Sequence, residues 1–225
     1  MKPRLVVLTG AGISAESGLR TFRDSDGLWE GYDVYEVASP KGWQQNPALV
    51  QDFYNGRRKD VMAAMPNAAH TGLAKLEEKF DVRIITQNID DLHERGGSSH
   101  VLHLHGEIFK MRSVHSEELI YDIRGDIKMG DLAGDGGQLR PHIVWFGEAV
   151  TMIEPAIKEV READIFVVIG TSLQVYPAAN LLQYVKWRTP TYIIDRKIPS
   201  FESMPNQFKI EKPATEGVAE LIQLL

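Results

Sequence analysis

The 225-residue sequence has no cysteine, which excludes disulfides and thiolate-ligated metal outright. It has no apolar run approaching the ~20 residues of a membrane-spanning helix. A basic surplus is also missing: 25 Lys and Arg face 31 Asp and Glu, and the net charge of −6 argues against general nucleic-acid binding. No signal-peptide pattern opens the chain, since strand-like residues begin at Leu5, and there are no internal repeats or low-complexity tracts. The expectation is a cytoplasmic protein of one domain over residues 1–225, a monomer for preference, with neither a membrane nor a specific nucleic acid as partner.

What is present alternates between short apolar runs and helical patterns. Leu5-Val6-Val7-Leu8, Val82-Arg83-Ile84-Ile85, Val101-Leu102-His103-Leu104, Ile165 to Ile169 and Thr191 to Ile194 read as strands, the Thr191 run as the last of them. Ile143 to Gly147 is a further apolar stretch. Asn46-Pro47 signals a helix start running to about Ala64, and Asn67 caps another in which Leu73, Leu76 and Phe80 recur at helical spacing. Helices are also expected near Met152–Glu162, Pro177–Trp187 and Val218–Ile222. The alternation predicts an α/β fold, a Rossmann-like parallel sheet with helices on both faces. Residues 111–138, polar and rich in glycine, read as an excursion from it.

The first strand ends in Thr9-Gly10-Ala11-Gly12-Ile13-Ser14-Ala15, where glycines permit a tight turn and close approach to a ligand. A helix beginning near Ser14 would aim its free N–H groups at a phosphate. Gly10-x-Gly12-x-x-Ala15 matches the dinucleotide fingerprint with alanine at its third site. A dehydrogenase would then return to a second strand with an acidic residue about 20 positions on. Asp33 stands at that distance, but Gly31 to Glu36 makes a poor buried strand, and residues 20–45 carry loop chemistry around Trp29 and Trp43. Hydride-transfer chemistry therefore loses ground.

Several strand ends carry specific words: GAGISAESGLRTFR at 10–23, TQNIDDLH at 86–93, LHG at 104–106, RPHIVWFGE at 140–148 and GTS at 170–172. Together, in this order and over nearly the whole chain, they resemble the sirtuins, the NAD-dependent protein lysine deacylases. The resemblance implies that NAD is consumed as a co-substrate and that the partners are acylated lysine side chains of proteins. In the family's chemistry the acyl oxygen attacks the ribose carbon as nicotinamide leaves. A ribose hydroxyl then needs a general base working near neutral pH, a role that suits histidine.

By motif match that base is His105, and Asn88 holds the nicotinamide ribose and a water. Asp90, with the backbone near Ile89, grips the nicotinamide amide, and Gln87 lies beside the ribose. Gly10, Ala11, Gly12, Ile13 and Ser14 form one cofactor wall, and Gly170, Thr171 and Ser172 the second. Thr21, Phe22 and Arg23 belong to the cofactor loop. Asp195 is matched to the adenosine ribose in place of the more usual asparagine, and Val218 is carried over as a cofactor contact. A helix-capping role fits Asp91 better than Asp90. His70, His93, His100, His103, His115 and His142 read as surface or satisfied structural residues, with His93 in support of its motif.

The resemblance also implies a small module from about residues 30–65 and 108–140. Many sirtuins bind a structural zinc there through four cysteines; here Ser113 and Ser116 stand near the first pair, and the second falls near 130–134. No metal is expected, so packing must hold the module together. On the helix after Pro47, Tyr54 and Arg57 share a face at spacing i, i+3. They resemble the sirtuin class that removes acidic acyl groups, succinyl and malonyl, and keeps some deacetylase activity. Val144, Trp145, Phe146 and Gly147 are expected to offer substrate an extended edge. A mono-ADP-ribosyltransferase and a non-catalytic NAD or ADP-ribose module are the alternatives; His105 disfavours the first, and His105 with Asn88 and Asp90 the second.

Overall fold

Leu5, Val6, Val7 and Leu8 are all fully buried, and their alternation sets the layering. Leu5 and Val7 pack in one core with Leu73, Val218 and Leu221; Val6 and Leu8 pack in a second with Ile157, Val160 and Leu181. A strand buried on both faces divides its side chains this way. The computed structural model describes residues 2–20, 28–29, 31–198 and 206–225.

In chain order, β1 (Arg4–Thr9) leads through two 3-10 turns, Ala11–Ile13 and Ala15–Ser17, to a hairpin of β2 (Leu28–Trp29) and β3 (Tyr32–Asp33). Helices α1 (Val34–Val37), α2 (Pro40–Gln45), α3 (Pro47–Ala63) and α4 (Ala68–Lys75) follow. Next come β4 (Asp81–Thr86), α5 (Leu92–Arg95), β5 (Val101–His103), β6 (Gly106–Ser113), β7 (Ile120–Asp122) and β8 (Leu139–Ile143). The chain ends with α6 (Ile153–Arg161), β9 (Ile165–Ile169), a 3-10 segment Ala178–Tyr184, β10 (Thr191–Ile194), β11 (Gln207–Ile210) and α7 (Ala214–Leu224). Asn46 and Asn67 cap α3 and α4 as their sequence signals predict: Asn46 Oδ1 accepts from the Leu49 N–H at 3.1 Å, and Asn67 Oδ1 from the Ala69 N–H at 2.9 Å.

The six-stranded sheet is parallel throughout, in the order β11-β10-β9-β1-β4-β5. From β1 the chain crosses to β4 on one side and later to β9 on the other. Such a reversal opens a crevice at the carboxyl ends of the strands, where α/β sheets of this type bind ligands.

A separate antiparallel sheet, β7-β6-β8, lies beside α3. Ile127, Ala133 and Leu139 form its small core, with Met111 and Ile123 against them. Ile108 and Phe109 of β6 and Ile143 of β8 pack with Val50, Phe53 and Val61 of α3, and polar staples add to this. Asn55 on α3 bonds both backbone groups of Ile127 at 2.9 Å. Arg58, 1% exposed, donates to the carbonyls of Ile108 and Gly125 and to Asn55 Oδ1. Burial pulls its pKa to about 10, so it stays charged at neutral pH and depends on those acceptors. Where the thiolates of the zinc-bearing relatives would begin, Ser113 Oγ donates to Asp135 at 2.8 Å, and the Gly137 N–H donates to the same carboxylate at 2.9 Å. Among the described residues no group of three or more His, Asp or Glu could hold a metal ion.

Three expectations need correction. No α-helix begins at Ser14: the two 3-10 turns take its place, because the Ser14 hydroxyl is drawn toward Asp90 and the Ile13 carbonyl accepts from the Asn67 side chain. The Pro177–Trp187 helix is the shorter 3-10 segment Ala178–Tyr184. Thr191–Ile194 is not the last strand; β11 was missed because Phe208 and Lys209 on this sheet edge are exposed and the run lacks a buried signature.

Candidate active site

The carboxyl ends of β1, β4, β9 and β10 surround a cavity of about 690 Å³, within the usual size range of ligand sites. Its floor is backbone. The Gly10 and Gly12 N–H groups donate to the carbonyls of Ile169 and Gly170 at 3.0 and 2.9 Å, joining the loops after β1 and β9. A Cβ on Gly12 would lie 2.6 Å from Gly170 Cα, and one on Gly170, at φ +62°, 2.5 Å from the Ile13 nitrogen. These glycines are required by loop-to-loop contact before any ligand arrives. Ala11, Ser14, Ser172 and Thr171 also line the cavity, and Gln87 Nε2 donates to Thr171 Oγ1 at 3.0 Å to tie the second wall to the end of β4.

The loop after β4 carries the polar groups. Asn88 and Asp90 are 7% and 6% exposed. Asn88 Nδ2 donates to Ser14 Oγ at 3.1 Å, and Ser14 Oγ donates to Asp90 Oδ2 at 3.1 Å. Asp90 Oδ1 accepts from the Leu92 N–H at 3.1 Å, so Asp90 caps α5. Asp91, the expected cap, makes no side-chain cap bond and pairs instead with Arg95 at 2.8 Å. Burial raises the Asp90 pKa, and its two hydrogen bonds only partly offset this.

His105 follows β5 in the turn to β6. That turn needs Gly106, whose φ is +82° and whose Cβ would meet the His142 carbonyl. His105 Nδ1 lies 3.0 Å from the Gln87 carbonyl. A carbonyl only accepts, so Nδ1 holds the proton and Nε2 keeps a lone pair. Burial holds the ring below the ordinary histidine pKa, against the opposing pull of the Gln87 carbonyl. A cavity-lining neutral imidazole with a free basic nitrogen is equipped as a general base. His70 and His93 have structural partners: His70 Nδ1 accepts from the Asn67 N–H at 3.2 Å, and His93 Nε2 is 3.0 Å from Thr9 Oγ1. Burial lowers the pKa of both, that of His70 to about 4.

The far end of the cavity is aromatic and cationic. Tyr54 is fully buried, and its Oη accepts from Trp145 Nε1 at 3.1 Å, which leaves its own O–H as a donor. Burial drives its pKa well up, so the phenol stays protonated. Arg57, 7% exposed, lies 5.7 Å from the Trp29 ring and 3.8 Å from Asp60. Trp145 is itself clamped: Arg140 stacks on its ring at 3.2 Å, and Glu148 takes its N–H at 2.8 Å while pairing with Arg140 at 2.6 Å. Val144, Phe146 and Gly147 line the cavity beside it.

The cavity thus gathers Gly10, Ala11, Gly12, Ser14, the 87–90 run, His105, the 170–172 run, Asp195, Tyr54 and Arg57, as expected from sequence. Ile13 and Val218 are buried in the apolar core and are not among the lining residues. Thr21, Phe22 and Arg23 lie outside the described residues. Arg20, Trp29 and Tyr176 line the cavity without having been singled out as site residues: Arg20 and Tyr176 stand in irregular chain, and Trp29 in a two-residue strand too short to leave a periodic signal.

The Sir2 family profile matches residues 10–177, three quarters of the chain. The chain belongs to the Sir2 family. A relative from Bacteroides thetaiotaomicron named NAD-dependent protein deacylase is 55% identical over 98% of this Sir2 protein and 97% of its own length. One of the same name from Helicobacter pylori is 52% identical over 98% and 96%. Among solved structures, a mutant Sir2 homologue in complex with ADP-ribose superposes with a TM-score of 0.90 at 37% identity, covering 99% of this Sir2 chain and 91% of its own.

Proposed function

We propose that this Sir2 protein is an NAD-dependent protein lysine deacylase with a preference for acidic acyl groups. The observation that carries the deacylase reading is His105: neutral, oriented by the Gln87 carbonyl, and lining the same cavity as the buried Asn88–Asp90 pair. The names of its relatives support it. The cavity also suits a dinucleotide: a floor of bare glycine backbone, polar groups at the end of β4, and the Asp195 carboxylate at the end of β10. NAD, when bound, supplies a ribose carbon activated by its nicotinamide leaving group.

This chain's residues then have separable tasks. Gly10, Gly12, Gly170 and Thr171 form the floor under the phosphates and riboses. Asp90 accepts from the nicotinamide amide, and Asn88 orients the adjoining ribose. His105 Nε2 takes the proton from a ribose hydroxyl, and the Gln87 carbonyl steadies the imidazolium that results. Tyr54 and Arg57 receive the carboxylate of a succinyl or malonyl group, through a phenol donor and a guanidinium fork that suits an acid. Acetyl groups lack that carboxylate and forgo its bonds.

Incubation with NAD and matched acetyl-lysine and succinyl-lysine peptides, followed by peptide mass and free nicotinamide, tests both levels. The expected result is NAD-dependent loss of both acyl groups, faster for succinyl. Loss of neither would sink the deacylase reading, and equal rates would sink the acyl preference.

A further inference from the structure

One buried titratable group near the cavity is not used by this scheme. His103 ends β5, two residues before His105, and its side chain is 8% exposed. Its ring lies between two acceptors: Nδ1 is 3.0 Å from the Asn88 carbonyl, and Nε2 is 2.8 Å from Glu94 Oε1 on α5. Neither a carbonyl nor an ionised carboxylate can donate, so satisfying both requires a proton on each ring nitrogen. His105 faces one acceptor and needs one proton. Two histidines in consecutive turns of one segment therefore carry different charges because their partners differ.

The bond to Asn88 matters because of where that residue stands. Ile89 and Asp90 line the active-site cavity and also a second cavity of about 350 Å³ that contains His103, so the 88–90 turn is the wall between the two. The Asn88 N–H is held by Thr86 Oγ1 and its side chain by Ser14, while its carbonyl is held by His103. We propose that His103 is a positioning residue for the deacylation reaction: as an imidazolium it ties the Asn88 carbonyl to Glu94, fixes the turn that presents Asn88 and Asp90, and on losing its proton weakens NAD binding. This rests on the assignment of Asn88 and Asp90 to the nicotinamide end of NAD.

The surroundings favour the cation. Asp90 and Asp91 face His103 from the turn, Glu94 from α5, Glu107 from β6 and Asp122 from β7. The positive charges are Lys110, paired with Glu107 at 2.7 Å, and Arg124, 3.5 Å from Asp91. His93, buried on α5 itself, is held neutral by burial. Burial pulls the His103 ring down, but the bond and charge of Glu94, the Asn88 carbonyl and Glu107 outweigh it and hold the pKa above the ordinary histidine value. A raised folded-state pKa means that the tie is fully present below the ordinary histidine value of about 6.5 and is lost as pH rises through the raised one.

The test is an NMR titration of the histidine rings of the whole protein, with His103 assigned through His103→Gln, alongside steady-state kinetics from about pH 6 to about pH 9.5. His103 should titrate above about 6.5 and His105 below it. KM for NAD should rise about fivefold as pH passes through the His103 pKa, with kcat changing less, the size of one ordinary hydrogen bond lost. Glu94→Gln keeps an acceptor but removes the charge, and should move that rise to lower pH. His103→Arg, always charged and able to serve both acceptors, should hold KM low at alkaline pH, whereas His103→Gln should raise it throughout. A His103 ring that titrates at or below the ordinary value, or a KM for NAD unaffected by pH and by these variants, overturns the inference. Retained turnover in Asn88→Ala would instead overturn the site assignment beneath it, so the two failures are distinguishable.

Discussion

The loop platform of the parallel sheet and the small antiparallel sheet are held together by opposite means. Under the platform, β1, β4 and β9 are apolar on both faces, and the loops above meet through bare glycine backbone. The small sheet packs Ile108, Phe109 and Ile143 against α3 and has a second, smaller apolar cluster of Ile127, Ala133 and Leu139, while Arg58, Asn55, Ser113–Asp135 and Arg140–Glu148 carry the cross-links. Hydrophobic burial is non-directional and tolerates exchange of similar side chains. A buried hydrogen-bonded charge tolerates none, since removing one partner strands the other. On the proposed function, the platform would host the chemistry common to every acylated substrate, and the cross-linked region would shape the end of the cavity assigned to the acyl group.

That division predicts effects of decreasing size. His105→Ala, on the platform side, should reduce release of acetyl and succinyl groups alike by about 10²–10⁴-fold, while calorimetry still detects NAD binding. Unequal losses for the two acyl groups would break the division. Arg57→Ala should lower kcat/KM for a succinyl-lysine peptide by about 10–100-fold and leave the acetyl peptide within a few-fold, the scale of hydrogen bonds to a charged group. Asn55→Ala strands both backbone groups of Ile127 and one contact of Arg58, and should cost about 3 kcal/mol. Thermal unfolding should register it as a Tm lower by roughly 5–10 °C, with NAD binding intact at low temperature. The smallest effect is in pH dependence. Burial disfavours the protonated form of His105, so the neutral base persists into mildly acid solution. The acid limb of kcat/KM should fall below the ordinary histidine value of about 6.5, and a limb above it would return His105 to an exposed environment.

The same contrast explains what was legible in the sequence. The strands under the platform announce themselves as apolar runs, and α3 and α4 through Asn46-Pro47 and Asn67, because burial and capping act locally. The edge strand β11 did not, since half its residues face solvent. The candidate site residues were named by motif, and their arrangement was not. That Asp90 rather than Asp91 caps α5 depends on the orientation of the 88–91 turn, which no local pattern encodes.

By itself, the sequence determined the parallel α/β sheet, the glycine-rich floor, the absence of thiolate chemistry and the motif words whose residues line most of the cavity. Each follows from composition, period or a short contiguous word. Tertiary structure alone decided which residues answer one another. Ser14 meets Asn88 and Asp90 across more than seventy positions, and Arg58 reaches Ile108 across fifty. It also decided that His103 faces two acceptors and His105 one. Protonation follows the partners a ring meets, and those partners are set by strand order and crossovers rather than by neighbours in sequence.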